Sequence, residues 1–571
     1  MNQPSQPQAQ PHEPSPLGHL DSGENFLVTA LASAARVGDL PLTIEVHGKE
    51  LRPTTGKQLL ELVARARGHL RAAGVQPGDR VALLAPNSSR WVAADLAILA
   101  EGAIVVPLYS RQDPRELAVM TKDCTPVRVL ASDAALADAL AAAWPGHAPI
   151  ALFDNVFATD PVTAPPHALQ PSDPVTIIYT SGTSGEPKGA VLSCANVDYM
   201  VPQTVVALHD LTGGRGDADK VFHFLPLCFA GSRIMLWTQL YRGNPILLST
   251  DLANLAQEMG AADPHYYLNV PAVLERIRAG VTAKVRERGG VAWSLYQRGL
   301  NALKKQREGR AGLVDGLALA LARKLVFTKI KRQIGPSLEF LICGSAALAE
   351  ETQRWFEAVG IRVFQVYGLT ETTAIVTMDQ PHAILPGHVG HALPRTELML
   401  GDGGELLVRG PGVFVGYWQR PEATAEALRD GWFHTGDQAD FDRTGNLAII
   451  GRVKNILVPE SGHNIAPEPI EQKFLDHCPA AAQCMLVGHA RPHLVLLVPG
   501  DVPEADITAA IERVNADVPH YRKIKRHLRV AEPFTIENGM LTANQKLRRK
   551  AVEKHYQAEI DRAYASSSSS S

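Results

Sequence analysis

Residues 179–190 read YTSGTSGEPKGA, a run of the residue types that grip a phosphate. Ser181, Thr183 and Ser184 offer hydroxyls, and Lys188 adds a positive charge. Gly182, Gly185 and Gly189 free the backbone to turn its N–H groups around an anion. The spacing is not that of a Walker loop, because Glu186, Pro187 and Lys188 stand where a second Gly followed by Lys-Ser/Thr is required. A Gly/Ser/Thr run can also be a flexible linker. Here an apolar run at 175–179 precedes it and Ala190, Val191 and Leu192 follow, which favours a nucleotide phosphate clamp between ordered segments.

Four later segments carry further candidates. VYGLTETT (366–373) offers the ring of Tyr367, the hydroxyl of Thr370 and the carboxylate of Glu371, and GWFHTGD (431–437) ends a turn on Asp437. GRVKNIL (451–457) contributes Arg452 and Lys454, and NGMLTANQKLRRKAV (538–552) presents Lys546 on an exposed loop before the last helix. No Ser-His-Asp or Cys-His motif is recognisable. His382, His388 and His391 are close in sequence, but a Pro/Gly-punctuated loop without a ligand-bearing helix is a poor metal site. The six cysteines have no paired spacing, which argues against a disulfide framework and a structural zinc and for a reducing compartment.

These residues need a large scaffold. A chain of 571 residues should hold two or three domains. A net charge of −3 with 20% charged residues gives no global pull toward nucleic acid. Residues 1–22 are polar and proline-rich, without the basic and apolar regions of a signal peptide, and are expected to be a disordered arm. The serines at 566–571 read as a flexible tail. The apolar stretch at 91–109 is broken by Asp95 and Glu101, so no membrane span is expected.

Leu59, Leu62, Val63, Ala66 and Leu70 recur at helical spacing over 58–70, and Gly74 stops that helix before a turn at 76–79. A strand at 81–84, a helix at 89–99 and a buried strand at 104–106 follow, the alternation of a parallel α/β sheet. The rhythm returns around Leu247, Tyr267, Phe340 and Phe364. Residues 271–335 form a basic, helical insertion, with fifteen Lys/Arg against four Asp/Glu. It reads as a solvated excursion or as a surface for anionic lipid. Past residue 400, short strands at 405–409 and 448–450 precede a smaller closing α+β domain, with the boundary at 451–455.

In order and separation the five segments resemble the core motifs of the adenylate-forming (AMP-binding) superfamily, over residues 27–565. VPAVLERIRAGV (270–281), the long insertion after it, GHNIAPEPIE (462–471) and LTANQKLRR (541–549) are most similar to the long-chain fatty acyl-CoA synthetases. The resemblance implies an α/β fold: a large N-terminal domain (23–453) of stacked α/β sheets plus a β-barrel-like subdomain, then a small mobile α+β domain (454–565). It implies ATP, CoA and a medium- or long-chain fatty acid as substrates, with Mg2+.

By the same resemblance Thr180, Ser181, Gly182, Thr183, Ser184, Gly185 and Lys188 hold the β- and γ-phosphates, and Glu371 with Thr180 holds Mg2+. Tyr367 lies against adenine, beside Gly368 and Thr370, with Gly344, Ser345 and Ala346 as the opposite wall. Asp437 accepts the ribose hydroxyls and Arg452 adds a ribose or phosphate contact. Lys546 meets the carboxylate and the α-phosphate, and Lys454 is the hinge of the small domain. A fatty carboxylate, with a pKa of about 4 to 5, is ionised already and needs no base. The protein must supply charge neutralisation and alignment.

The chain departs from the family at LPLCFAGSR (225–233), where Phe229 replaces a His, Ser232 a Glu, and only Arg233 is kept. Cys194, His391 and Arg395 also stand in unusual places. Phe229 leaves room for transfer to a carrier protein or for lactone formation, and a catalytically quiet sensor is the reading from another class. The expected location is cytoplasmic, free or peripheral at the inner face of the membrane, with no nucleic-acid partner.

Overall fold

The computed structural model describes residues 24–181, 187–214, 219–463, 465–542 and 546–565. Two large sheets form the body of the chain. The first has seven strands, in the order Gly416–Tyr417, Pro187–Ser193, Pro174–Ser181, Ile104–Leu108, Arg80–Leu84, Arg128–Ala131, Ile150–Leu152. Its last five strands are parallel and its first two antiparallel. The second has nine strands, built on six parallel ones: Pro41–His47, Ile246–Ser249, Val221–His223, Tyr266–Asn269, Phe340–Cys343 and Arg362–Tyr367.

Between the sheets lies a layer of helices: Phe26–Val37, Gly56–Ala72, Ser89–Ala100, Cys194–Leu211 and Ala230–Arg242. Their side chains, with Val105 and Val175 from one sheet and Ile246 and Phe340 from the other, make one continuous core. The helix expected at 58–70 starts two residues earlier because the Thr55 hydroxyl accepts from the Gln58 backbone N–H and the Gln58 side chain accepts from that of Thr55, a capping box. Gly74, at φ 76°, supplies the left-handed turn after it. Strands expected at 81–84 and 104–106 run at Arg80–Leu84 and Ile104–Leu108, both almost wholly buried, as a sheet covered on both faces requires.

A five-stranded antiparallel sheet of Glu397–Leu400, Glu405–Arg409, Leu428–Arg429, Trp432–Phe441 and Leu447–Arg452 follows the large sheets. The remaining residues make a smaller unit around a three-stranded sheet, Met485–Val487, Leu494–Pro499 and Ile524–Val530, with its own core. The chain is thus a mixed α/β protein with a large N-terminal and a smaller C-terminal domain. Among the described residues no helix is long and apolar enough to cross a membrane.

The insertion is helical, as expected: Pro271–Arg288, Gly290–Arg307, Leu313–Ala322, a π-turn at Arg323–Phe327 and Thr328–Ile334. It leaves the nine-stranded sheet after Tyr266–Asn269 and returns at Phe340–Cys343, covering the outer face of that sheet. Within it, Arg307 and Arg310 are each paired with a carboxylate, Glu357 and Glu308, and Lys305 reaches Asp315 at 2.9 Å.

Candidate active site

The described strands on either side of the expected clamp pair with each other. Pro174–Ser181 pairs antiparallel with Pro187–Ser193, Thr180 opposite Lys188 and Ser181 opposite Pro187. Gly182, Thr183, Ser184 and Gly185 lie outside the described residues, as do the arm at 1–22 and the tail at 566–571. Gly189 corrects the reading made from sequence: it lies within the second strand, opposite Tyr179. A Cβ there would come within 2.6 Å of Ile177 Cγ2, so packing within the strand pair accounts for a glycine at this position.

Adjacent parallel strands supply the next residues from their carboxyl ends, where open α/β sheets place their ligands. Phe340–Cys343 leads into Gly344, Ser345 and Ala346, and Arg362–Tyr367 leads into Gly368 and Thr370. A Cβ on Gly344 would meet Val366 Cγ2 of the neighbouring strand at 2.8 Å, and one on Gly368 would meet the Ala374 carbonyl oxygen at 2.1 Å, so glycine permits the close approach of the two segments at the first position and a tight turn within the second segment at the other. Ser345 holds φ at 72°, an uncommon value for a residue with a side chain. Glu371, in a short 3-10 turn, is buried.

The five-stranded sheet contributes Asp437 and Arg452, which are cross-strand partners. Arg452 Nε lies 2.6 Å from Asp437 Oδ1, and the Tyr367 hydroxyl donates to Asp437 Oδ2 at 2.6 Å. Burial and the neighbouring carboxylate of Asp437 push the half-buried Tyr367 phenol well above its usual pKa, so it stays a donor. On the other side of the cleft the Tyr417 hydroxyl donates to Glu371 Oε1 at 2.8 Å, and Lys188 Nζ lies 5.2 Å from the centre of the Tyr417 ring. The Thr180 hydroxyl turns back to the Lys188 carbonyl at 3.4 Å.

Lys546 arrives from the smaller domain. Its loop is closed on itself, with Thr542 N–H donating to the Lys546 carbonyl at 2.8 Å and Lys546 N–H to the Thr542 hydroxyl at 3.1 Å. Two helices follow it, not one: Arg549–His555 and Gln557–Ala565. The ammonium lies within electrostatic reach of Arg452, Asp437 and Glu371. Desolvation pulls its pKa below the ordinary 10.5 and Arg452 adds to this, while Asp437 and Glu371 oppose it. The residue is solvent-exposed, so the shift reflects dense protein around a wet cleft and not a sealed interior. Lys454 lies in the 3-10 turn Val453–Asn455 that follows the strand bearing Arg452.

The structure therefore brings Thr180, Lys188, Tyr367, Glu371, Asp437, Arg452 and Lys546 to one cleft between the domains. Tyr417 joins them unannounced. Its signal was the aromatic run Phe414, Tyr417, Trp418 after Gly410-Pro411-Gly412, a stretch that reads in sequence only as a turn. Phe229 caps the Ala230–Arg242 helix with its ring 5.9 Å from that of Tyr109, beside a cleft lined by Tyr109, Arg111, Phe224, Cys228 and Thr250. His382, His388 and His391 belong to no metal-holding group among the described residues.

Two large α/β sheets followed by a smaller domain are the fold of adenylate-forming enzymes, and the chain belongs to the AMP-binding enzyme family. Residues 32–418 match that family and residues 454–568 its AMP-binding enzyme C-terminal domain. The chain resembles long-chain acyl-CoA synthetases. It is 30% identical over 554 residues to a long-chain-fatty-acid–CoA ligase, FadD15, of Mycobacterium bovis, covering 88% of this chain and 92% of that one. Long chain acyl-CoA synthetase 3 of Arabidopsis thaliana is 26% identical, covering 89% and 86%. The adenylation domain of a carboxylate reductase from Mycobacterium chelonae shares the fold, with a TM-score of 0.77, 21% identity, and coverage of 96% and 92%.

Proposed function

We propose that this protein activates a medium- or long-chain fatty acid with ATP and passes the acyl group to CoA, releasing pyrophosphate and AMP. The observation that carries the reading is the position of Lys546, offered by the smaller domain to a cleft that already holds Glu371, Asp437 and Arg452. In the first step a carboxylate oxygen attacks the α-phosphate, the new acyl–O–P bond forms and the P–O bond to pyrophosphate breaks. The reacting groups are anionic, so the protein's task is to neutralise charge and hold the line of attack. Lys546 and Lys188 supply positive charge, Asp437 takes the ribose hydroxyls in charge-assisted bonds, and Tyr367 offers its face to adenine.

Glu371 and Thr180 offer a buried carboxylate and a hydroxyl, the hard oxygen donors that suit Mg2+. The ion, when bound, neutralises charge on the phosphate oxygens. In the second step the CoA thiolate attacks the acyl carbonyl and AMP leaves. Lys546 must then withdraw, and Lys454, in the turn between the domains, is the proposed pivot. The chain length reading rests on the names of the relatives and on the long insertion.

Acids of six to twenty carbons, assayed for pyrophosphate–ATP exchange and for AMP release with and without CoA, test this reading. Exchange with long acids and AMP release that requires CoA support it. The ring of Phe229 in place of a His favours one second reading, transfer to a carrier protein or lactone formation. Product that needs a carrier, or a lactone formed without CoA, would replace the CoA step. ATP binding with no exchange for any acid would leave a sensor.

A further inference from the structure

The helical insertion presents an apolar stripe to solvent. Leu313 is 96% exposed, Val314 81%, Leu317 65%, Leu321 42% and Leu325 46%. The positions 314, 317, 321 and 325 recur at intervals of three and four, so these side chains share one face of the Leu313–Ala322 helix and its π-turn continuation. The opposite face is apolar as well and is used: Leu319, Ala322, Val326 and Phe327 are buried against the body. Gly299 of the Gly290–Arg307 helix allows that packing, since a Cβ there would stand 2.4 Å from Ala322 Cβ. A helix apolar on both faces is ordinarily enclosed on both. This one has half its apolar surface facing water.

The charges around the stripe select its partner. Between Gly316 and Gly335 there is no acidic residue, while Arg323, Lys324, Lys329, Lys331 and Arg332 are all cationic. Arg323, Lys324 and Lys329 are exposed beside the stripe, and the nearest acid, Asp315, is engaged by Lys305. A second copy of the chain docked about a two-fold axis would bring these cations against their own counterparts. An anionic lipid surface meets both features at once, apolar side chains entering the acyl boundary and cations lying among the headgroups.

We propose that the Leu313–Ala322 helix and its continuation to Leu325 form an interfacial anchor that seats the protein on an anionic bilayer. The anchor is the leucine stripe, and the cations orient and select. Its purpose rests on the fatty-acid reading above, because such acids partition into bilayers. The insertion returns to the sheet at Phe340–Cys343, whose end carries Gly344, Ser345 and Ala346, so the anchored helices lie on the elements that wall the cleft.

The test uses the full chain without substrates, so that it is independent of turnover. Sedimentation with vesicles of phosphatidylcholine containing one third phosphatidylglycerol is compared with pure phosphatidylcholine. The parent protein is expected to bind the anionic vesicles, and Leu317→Glu with Leu321→Glu to bind them at least tenfold more weakly, with an unchanged unfolding midpoint. Arg323→Gln with Lys324→Gln is expected to lose the preference for anionic vesicles and to keep residual binding. Parent protein that ignores anionic vesicles, or a folded double-Glu variant that binds them as well as the parent, overturns the proposal. So does parent protein that self-associates in the absence of lipid through a contact that the double-Glu variant abolishes. A ligase that fails to bind vesicles sinks only the anchor, and a vesicle-binding protein without acid activation sinks only the enzyme.

Discussion

Two aspartates in this chain are held alike and serve different ends. Asp95 accepts from Arg233 and from the Trp237 indole N–H at 2.9 Å; Asp437 pairs with Arg452 at 2.6 Å and accepts from the Tyr367 hydroxyl at 2.6 Å. Each carboxylate thus has one guanidinium and one aromatic donor. The surroundings differ. Asp95 and Arg233 are both 0% exposed, in the helical layer between the two sheets, and the Arg233 guanidinium also lies 4.3 Å from the centre of the Trp237 ring. Arg452 is 36% exposed at the junction of the domains, beside Lys546.

Burial raises the Asp95 pKa against the pull of Arg233 and Trp237. A guanidinium keeps its proton in proteins, so Arg233 is a buried cation that depends on Asp95 as its partner. A network of the same make-up in a wet cleft can exchange its bonds for those of a ligand.

The comparison breaks most visibly if the two aspartates are removed. Asp95→Ala leaves a buried guanidinium unpaired and should cost about 3–5 kcal/mol of stability. Asp437→Ala should cost less, because the Arg452 it leaves behind is 36% exposed and can turn to water, while abolishing acid-dependent pyrophosphate–ATP exchange. Urea unfolding midpoints beside exchange rates would read this out, and equal losses of stability would show that the two sites are not different in kind.

Lys546→Ala sharpens the contrast from the ligand side. Formation of acyl-AMP should fall about 10²- to 10³-fold, as for other single electrostatic donors, while thioester formation from supplied acyl-AMP should survive. Equal loss of both half-reactions would assign Lys546 to scaffolding.

The cleft was legible in sequence wherever chemistry is local. Thr180 and Lys188 stand eight residues apart on one hairpin, and Glu371 follows Tyr367 around one strand end, so a short motif carries each group. Asp437 and Arg452 were legible as separate signals, but their cross-strand pairing needed the register of two strands. Tyr417 was hidden because its partners, Glu371 and Lys188, are far away in sequence. The helical insertion was legible, but which of its side chains lie bare was not: the fold pairs Lys305, Arg307 and Arg310 with carboxylates and leaves the leucines of the Leu313–Ala322 helix exposed.

The contact between the domains holds a third carboxylate, Glu275, that extends the comparison into pH. Burial, with Asp476 of the smaller domain beside it, pushes its pKa up to about 7 from the ordinary 4.5; Arg278, the Gln472 amide and the Ala349 N–H oppose the rise. A raised carboxyl favours the docked arrangement in its protonated form. Its contribution is whole below about pH 4.5 and disappears as pH climbs through about 7. Glu275→Gln should therefore flatten the fall of acyl-AMP formation with rising pH in that window, and an unchanged profile would remove Glu275 from the closure.

Arg548 and Glu116 make the smallest case. Their 2.8 Å bond also joins the domains, yet the side chains are 33% and 35% exposed, so here, unlike at either aspartate site, both partners are open to water. Water and salt screen such a pair, and its worth should be about 1 kcal/mol at most. Arg548→Ala should slow acyl-AMP formation modestly at low ionic strength, and the difference from the parent should vanish by 0.5 M salt. Because Arg548 lies two residues from Lys546, a loss that persists in high salt would mean that it steers the lysine loop through packing and not through charge.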